Sequence, residues 1–449
     1  MSWAIVCESS DLAAQCLAVA QHIGLAVETL VDDTPRAAAL RLIAGGRATA
    51  LVYLKPPELS DLVELAQAAR GRAQRVVLAL PTPSDDQRIL LEVAGELGLC
   101  AVRELKPMCA ACALLALHAL DAPSAATRGL NPADRARLVP AIEPGGDGRA
   151  QFLNTDALHI GYRSTPDAPP VQLGEAADVR EALLALKRLD PQQRQVESSV
   201  EVDANAVMEA IFGPRRALSD PASKNALAPY GIPLPVEELC GSASRAASEA
   251  TRIGYPVRIS LASPDLRVWD HPDLCVDMVD NAARVRDTFR QLIAAAEARF
   301  TSPGHKTEKT SGRILGVVVS ATSEPLAELG VSAVALPHRR VSIRLGFADP
   351  HGRAARDETA TILPAEQPVI ERALGRLAGA ALLLDTTPAQ RRARVDNIAD
   401  LLQRVAAFVN DRREQIERVE LRPLTVLMDG TVEVREACVS VSDWFERNA

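Results

Sequence analysis

Residues 3 to 120 alternate between short apolar runs and longer amphipathic segments, and this alternation constrains the fold more than any other feature of the sequence. Short apolar runs are typical of buried strands, and the amphipathic segments have the spacing of helices that cover a sheet. Five strand-helix units in succession predict a parallel sheet with helices on both faces, a doubly wound α/β domain. The predicted strands are WAIVC, LAVETLV, ATALVYL, RVVLAL and LCAVRE, and the predicted helices are DLAAQCLAVAQHI, RAAALRLIAGG, ELSDLVELAQAARG, DDQRILLEVAGELG and CAACALLALHAL.

The first loop at the carboxyl end of this predicted sheet reads Glu8-Ser9-Ser10-Asp11 and contains no glycine. Ligands of doubly wound sheets usually bind at such loops, but phosphate binding normally needs glycine, which lets the backbone approach closely. Ser10 or Asp11 is instead a suitable N-cap for the following helix. The loop therefore favours helix capping over phosphate binding.

The length and charge of the chain bound its organisation and its partners. With 449 residues we expect two or three domains, each large enough for its own core. A net charge of −8 and an isoelectric point of about 5.6 weigh against nucleic acid or an anionic membrane as a general partner. The longest apolar run, Cys109 to Leu117, is too short to span a membrane, and MSWAIVCESSD has no secretory pattern. We therefore expect a cytoplasmic protein.

The cysteines are read as buried small residues. Eight cysteines in so long a chain do not make a disulfide framework, and most of them lie within apolar runs. Cys109 and Cys112 have the spacing of a redox or metal-ligand pair, but no second pair completes a zinc site. Two small residues on a buried helix are the favoured interpretation.

The remainder of the chain divides into two further regions. Residues 123–200 are rich in Pro, Gly, Ala and charge, which predicts a linker that could hold a small docking element. Residues 201–449 contain mixed helical and strand patterns, which predict two α+β lobes, and one long helical pattern runs from Arg394 to Arg413. The predicted domains are thus 1–122, 123–200 and 201–449. In the last of them, Asp429-Gly430 predicts a tight hairpin.

Three segments of the third region carry a resemblance to a known family. They are SKNALAPYGIPLP, ASEATRIGYPVRISLASPDL and VELRPLTVLMDGTVEVREA. They resemble the ATP-grasp domain of the NDP-forming acyl-CoA synthetases, the superfamily of acetyl-CoA and succinyl-CoA synthetases, and residues 3 to 120 resemble the flavodoxin-like domain that precedes it. The resemblance implies a flavodoxin-like doubly wound domain followed by a two-lobed ATP-grasp domain. The family's Rossmann-like CoA-binding domain and its other flavodoxin-like domain have no counterpart here.

The sequence departs from the family at the residues that the resemblance implies for nucleotide and metal binding. Arg258 stands at the position of a nucleotide-contacting lysine, Arg422 at that of a magnesium-binding asparagine, and Arg435 at that of an aspartate. Magnesium requires oxygen ligands, which a guanidinium does not provide. Together with Lys224, these arginines could instead contact a nucleotide or another polyanion, because arginine binds phosphate without a metal. Alternatively, Arg422 and Arg435 pair with neighbouring glutamates, and the candidates are Glu420, Glu433 and Glu436.

Other family elements are also missing or reduced. The phosphohistidine has no counterpart, and His118 lies on an apolar helical pattern that favours a core histidine. The family's glycine-rich strand and loop retain only Gly346 and Gly352, and the loop from Thr301 to Gly312, with His305, Lys306 and Lys309, is read as solvated. We therefore assign no catalytic residue and no metal ligand.

The sequence leads to two functional hypotheses, one for a non-catalytic subunit and one for an enzyme subunit. The first is a degenerate family member that serves as a regulatory, scaffolding or ligand-sensing subunit, with ATP or ADP as the ligand considered and with neither magnesium nor CoA favoured. The alternative is an active ADP-forming acyl-CoA synthetase subunit whose CoA-binding part and phosphohistidine come from a partner chain. A synthetase-like partner chain and a homo-oligomer both remain open.

Overall fold

The structure is a computed structural model in which residues 3–70, 76–81, 87–116, 126–129, 132–138, 151–155, 159–163, 169–187, 202–301, 313–347 and 357–448 are described. The chain forms two compact units. The first comprises Met1–Gln193 with Leu336–His338, and the second comprises Arg194–Ala335 with Arg339–Ala449.

The first unit is built on a five-stranded parallel sheet with the strand order β2-β1-β3-β4-β5. This is the flavodoxin-like order, so the predicted doubly wound domain is confirmed. Each strand is followed by a helix. The elements are β1 (Trp3–Cys7), α1 (Ser10–His22), β2 (Val27–Val31), α2 (Pro35–Ala44), β3 (Ala48–Val52), α3 (Leu59–Arg70), β4 (Val76–Ala79), α4 (Gln87–Glu96), β5 (Cys100–Val102) and α5 (Leu105–Ala116).

The loop after β1 caps a helix, as predicted, but through a different residue. Helix α1 begins at Ser10, and the side chain of Ser9 accepts a hydrogen bond from the backbone N–H of Leu12 at 3.3 Å. The N-cap is therefore Ser9 rather than Ser10 or Asp11. A serine that satisfies one of the free N–H groups of the first turn stabilises the start of a helix by about 1 kcal/mol.

The cysteines are buried, as the sequence predicts. Seven of the eight lie in the protein interior, and only Cys275 is partly exposed. Cys109 and Cys112 both lie on α5 inside the core of the first unit, where burial raises the pKa of each thiol. The interpretation of MCAAC as part of a buried helix is confirmed.

A second, four-stranded sheet completes the first unit. Its strands have the order β6-β7-β8-β9, and residues of the helix that follows them pack into the same core as α1 and α5. These elements fall within the predicted region 123–200, whose boundaries stay a prediction. They are β6 (Ala126–Gly129), α6 (Pro132–Leu138), β7 (Gln151–Asn154), β8 (His159–Arg163), β9 (Val171–Glu175) and α7 (Ala176–Lys187).

The second unit contains two sheets, each with its own apolar core. A four-stranded antiparallel sheet has the order β11-β14-β12-β13, and a seven-stranded sheet has the order β10-β20-β18-β15-β16-β17, with β19 paired to β18. The predicted two-lobed α+β architecture is confirmed. The elements are α8 (Ala204–Ile211), β10 (Arg216–Ala217), α9 (Asp220–Leu227), β11 (Glu237–Cys240), α10 (Ala243–Ile253), β12 (Val257–Ala262), β13 (Cys275–Val279), α11 (Ala282–Thr301), β14 (Gly316–Ala321), β15 (Pro325–Leu336), β16 (Arg340–Phe347), β17 (Glu358–Leu363), α12 (Gln367–Gly375), α13 (Ala381–Leu384), α14 (Pro388–Asp411), β18 (Ile416–Leu427), β19 (Val432–Val434), β20 (Ala437–Val441) and α15 (Trp444–Arg447).

Two local predictions for this unit have clear outcomes. The hairpin at Asp429-Gly430 is confirmed, because β18 and β19 pair antiparallel and Leu427 N–H donates to the Thr431 carbonyl at 2.8 Å.

The long helix predicted from Arg394 begins earlier, at Pro388. Thr387 caps this helix, and proline suits the first helical position, where its missing N–H is not needed.

Gly231 ends the helical segment that contains Lys224. It has φ of +69°, in the left-handed region. A Cβ atom at this position would also approach the guanidinium at the far end of the flexible Arg404 side chain, which would have to shift. The turn therefore requires glycine mainly for its backbone conformation.

The Gly231→Ala variant is expected to lose about 1–3 kcal/mol of unfolding free energy, because alanine pays the cost of a positive φ that glycine does not. Gly241→Ala is the matched control, since Gly241 has ordinary φ and no atom within 4 Å of the added carbon. Urea unfolding of both variants measures the difference. Equal stability of the two variants would contradict this account of the turn.

Several residues considered in the sequence lie outside the described residues. They are His118, Gly352, His305, Lys306 and Lys309. Among the residues that are described, no helix is long and apolar enough to cross a membrane.

Candidate functional site

The candidate site is built around α9 and the start of β20. Ser223 accepts a hydrogen bond from the backbone N–H of Val439 at 2.9 Å, and Asp220 accepts one from Ala437 N–H at 2.7 Å. These bonds attach the helix to the edge of the seven-stranded sheet. They also place Lys224, one turn after Asp220, beside the segment between β19 and β20.

Lys224 is buried and fully paired. Its side chain is only 3% exposed, and its ammonium group donates to Asp220 at 2.9 Å, to Glu237 at 2.7 Å and to the backbone carbonyl of Arg435 at 2.6 Å. Burial alone would lower the pKa of this amine, but the two carboxylates outweigh it and raise the pKa. An ammonium has three N–H donors, so these three bonds leave none for a ligand.

Arg258 connects the two sheets of the second unit. From β12 its guanidinium donates to Glu436 at 2.6 Å and to Asp277 at 3.3 Å, and the side chain is 12% exposed. Burial by itself would lower the pKa of Arg258, and the nearby Cys275, Glu436 and Asp277 together raise it. Arg258 therefore stays positively charged, and its ion pair with the carboxylate of Glu436 connects the two sheets.

Glu436 is the most deeply buried carboxylate of this network. Its burial raises the pKa to about 7, against the opposing effect of Arg258, and the nearby charge of Asp220 acts in the same direction as burial. The group therefore titrates near neutral pH. Its backbone carbonyl accepts a hydrogen bond from the N–H of Arg422 at 3.0 Å, which links the network to β18.

Arg435 lies on the same side of the site and contacts acidic and hydroxyl groups of its own chain. Its guanidinium makes ion pairs with Glu433 at 3.2 Å and Glu328 at 3.4 Å, and it donates to the Ser323 carbonyl at 2.6 Å and hydroxyl at 2.7 Å. The side chain is 10% exposed. This is the pairing that the sequence left open as an alternative to ligand binding.

Arg422 has the most exposed side chain of the four predicted contacts. It is 44% exposed, and its pair with Glu420 has a long separation of 3.9 Å. A pair of this kind in contact with water contributes little. The structure therefore buries Lys224, Arg258 and Arg435 in ion pairs with carboxylates, with Arg435 joined to Lys224 through its backbone carbonyl, and leaves the side chain of Arg422 partly exposed.

The sequence singled out the cationic residues at this site, but it indicated few of the carboxylates that pair with them. Asp220 could have been recognised, because it stands one helical turn before Lys224. Glu237 lies on a strand 13 residues after Lys224, and Glu328 lies on a strand 107 residues before Arg435, and no local pattern indicates either of them. The sequence suggested Glu436 as a partner of Arg422 or Arg435, but its carboxylate pairs with Arg258.

The residues at the expected metal position do not suit magnesium. A guanidinium, Arg435, lies between the carboxylates of Glu328 and Glu433 and offers donors where a metal needs oxygen ligands. Within the part of the chain that is described, no group of three or more His, Cys, Asp or Glu residues could hold a metal ion. We therefore derive no metal-dependent step from this arrangement.

Comparisons with known proteins agree with this architecture. Residues 209–441 match the family model described as the ATP-grasp domain. The beta subunit of the ADP-forming acetate-CoA ligase II from Pyrococcus furiosus is 21% identical over 224 residues, which cover 50% of this chain and 91% of that subunit. The ADP-forming 4-hydroxybutyrate-CoA ligase from Nitrosopumilus maritimus is 24% identical over 217 residues, 48% of this chain and 29% of that protein.

Two solved structures also match about half of this chain. PH1788 from Pyrococcus horikoshii has a TM-score of 0.45 at 21% identity, and the match covers 53% of this chain and 98% of that one. The dinucleotide-forming acetyl-coenzyme A synthetase 1 of Ca. Korarchaeum cryptofilum, solved with coenzyme A and Ca-AMPCP, has a TM-score of 0.44 at 18% identity with the same coverage. The resemblance drawn from the sequence is confirmed. Because the family model covers more than half of its residues, this chain belongs to the ATP-grasp family, and it is homologous to ADP-forming acyl-CoA ligases.

Proposed function

We propose that this chain is a catalytically inactive relative of the ADP-forming acyl-CoA ligases and acts as a regulatory, scaffolding or ligand-sensing subunit in the cytoplasm. The observation that carries the proposal is Arg435, whose guanidinium pairs with Glu328 and Glu433. Phosphoryl transfer depends on cations that neutralise the charge of the transferring group. A cation that is held by carboxylates of its own chain does not serve this purpose.

The same contacts limit which ligand the site would take. Lys224 and Arg258 are paired with carboxylates inside the second unit, whereas the guanidinium of Arg422 is open to solvent. We expect any ATP or ADP to bind through arginine and backbone groups without magnesium, since a guanidinium binds phosphate directly. We expect no CoA site in this chain alone.

A second candidate is a working subunit that needs a partner. It is favoured by the comparison with the Pyrococcus furiosus protein, which is named as a beta subunit and is matched over 91% of its length. In that case a synthetase-like partner chain would supply the CoA-binding part and the phosphohistidine. A homo-oligomer without such a partner would favour the first proposal.

Titration calorimetry with ATP and ADP separates these functions. Each nucleotide is titrated once with magnesium and once with EDTA. Binding that persists in EDTA supports a metal-independent ligand sensor, and no binding in either condition supports a scaffold. Binding that requires magnesium, or acyl-CoA formation by the unmodified chain with a partner, would overturn the proposal of an inactive subunit.

The double variant Arg422→Asn with Arg435→Asp should gain magnesium-dependent nucleotide binding. It restores oxygen ligands at both positions and places a third carboxylate beside Glu328 and Glu433. Without metal these like charges repel, so EDTA should also lower the thermal midpoint of this variant. Arg418→Asn, at an exposed position of β18, is the control and should show neither effect. Identical behaviour of the two proteins would argue against this assignment of the metal positions.

A further inference from the structure

Two histidines of the first unit meet on its surface. His22, in the last turn of α1, and His159, the first residue of β8, have their Nε2 atoms 3.0 Å apart. The ring centroids are 4.8 Å apart and the planes are tilted by 59°. At this separation one ring donates its Nε2–H and the other accepts it, so the two rings share one proton.

We propose that His22 and His159 form a binding site for a divalent transition-metal ion that favours imidazole, such as zinc. Two Zn–N bonds of about 2.05 Å at a tetrahedral angle place the nitrogens about 3.3 Å apart. The observed separation of 3.0 Å is within a few tenths of an ångström of that value. The ion would replace the shared proton, with only a small outward movement of the rings.

The site is organised by the fold rather than by local sequence. The two histidines are 137 residues apart, on a helix and on a strand of different layers of the first unit. In the unfolded chain they would be far apart, so an ion held by both binds the folded state preferentially and stabilises it. Glu175 lies directly opposite His159 in the strand pairing, and its carboxylate contacts Lys106 at 3.1 Å.

The ligand atoms determine which metal ions the site would favour. Two imidazole nitrogens favour zinc, copper or nickel over magnesium or calcium, which prefer oxygen ligands. Among the described residues the protein supplies these two ligands, and water would fill the remaining coordination positions. Seven of the eight cysteines are buried and would not compete for zinc in the folded protein. This inference is independent of the proposed function, because it rests only on residues of the first unit.

Titration of the full-length, EDTA-treated and desalted protein with zinc chloride at pH 7.5 tests the site. We expect one equivalent of zinc to bind the unmodified protein and the control His271→Gln, and to raise their thermal midpoints. His22→Gln and His159→Gln should each lose both effects, because glutamine can still form a hydrogen bond but is a poor zinc ligand. Equal zinc binding by all four proteins, or none by the unmodified protein, would overturn the proposal.

A measurement on the unmodified protein covers the case in which a variant does not fold. Protons compete with metal ions for imidazole nitrogens, so zinc binding should weaken as the pH is lowered from 7.5. Cobalt at pH 7.5 should give the weak visible absorption of nitrogen and oxygen ligands. Strong sulfur-to-cobalt absorption would place the metal at a cysteine and contradict the assignment to the histidines.

Discussion

Replacing Lys224 with alanine is expected to lower the free energy of unfolding of the second unit by about 3–5 kcal/mol, the usual cost of removing one partner from a buried ion pair. The variant would leave the carboxylates of Asp220 and Glu237 without their shared cation and the carbonyl of Arg435 without its donor. Tryptophan fluorescence during urea unfolding measures the loss, because Trp269 and Trp444 both lie in the second unit.

An exposed ion pair provides the control for this variant. Arg284, on α11, pairs at 3.2 Å with Asp280, which precedes this helix, and both side chains are more than half exposed. Arg284→Ala is expected to change stability by no more than about 0.5 kcal/mol. Adding Glu237→Gln to the Lys224 variant should recover part of the loss, since one buried charge is then removed. If the Lys224 and Arg284 variants are equally stable, the buried network contributes nothing measurable.

The contribution of Glu436 to stability should fall as the pH rises from about 5 to 8. The folded protein raises the pKa of this carboxyl to about 7 through burial, whereas an unfolded glutamate titrates near 4.5. A raised pKa means that the folded state holds the proton more tightly, so the contribution is full below the unfolded pKa and is lost as the pH passes the folded pKa. The expected loss is on the order of 2 kcal/mol.

Comparing how the stability of two variants depends on pH shows whether Glu436 is the group that titrates. The charged residues of the ion-pair network around Glu436 are Arg258 and Asp277 from the small sheet, Lys224 and Asp220 from α9, and Glu237 from β11. Glu436→Gln should remove the decline, while Glu417→Gln, at an exposed pair with Arg215, should keep it. Urea unfolding at several pH values measures both. A decline that persists in the Glu436 variant would mean that another group titrates.

Much of the fold could be predicted because its signals are local. The alternation in residues 3 to 120 reflects buried parallel strands and their covering helices, and the five-stranded sheet follows from it. Gly231 and Gly430 mark turns that need a left-handed backbone. The start of α14 was placed too late, because the Thr387-Pro388 start signal precedes the apolar pattern of the helix.

The candidate site could be predicted only in part. Four cationic positions follow from comparison with a family pattern, but whether a cation faces a ligand or a carboxylate depends on strands that meet only in the folded chain. Glu237, Glu328 and Glu436 approach their partners through sheet pairing, which single-sequence patterns do not specify. The contact between His22 and His159 has the same origin, and no motif links the two residues.

Because the cysteines are buried, the reactivity of their thiols reports whether the chain is folded. Seven thiols are enclosed in the folded chain, and the pKa of the partly exposed Cys275 is raised to about 12 by burial. Because the thiolate is the nucleophile that attacks thiol reagents, folded molecules should react slowly with them, and unfolded molecules should react at all eight positions. The rate of colour development with a chromogenic thiol reagent therefore counts opened molecules, without any added label and at protein concentrations too low for calorimetry.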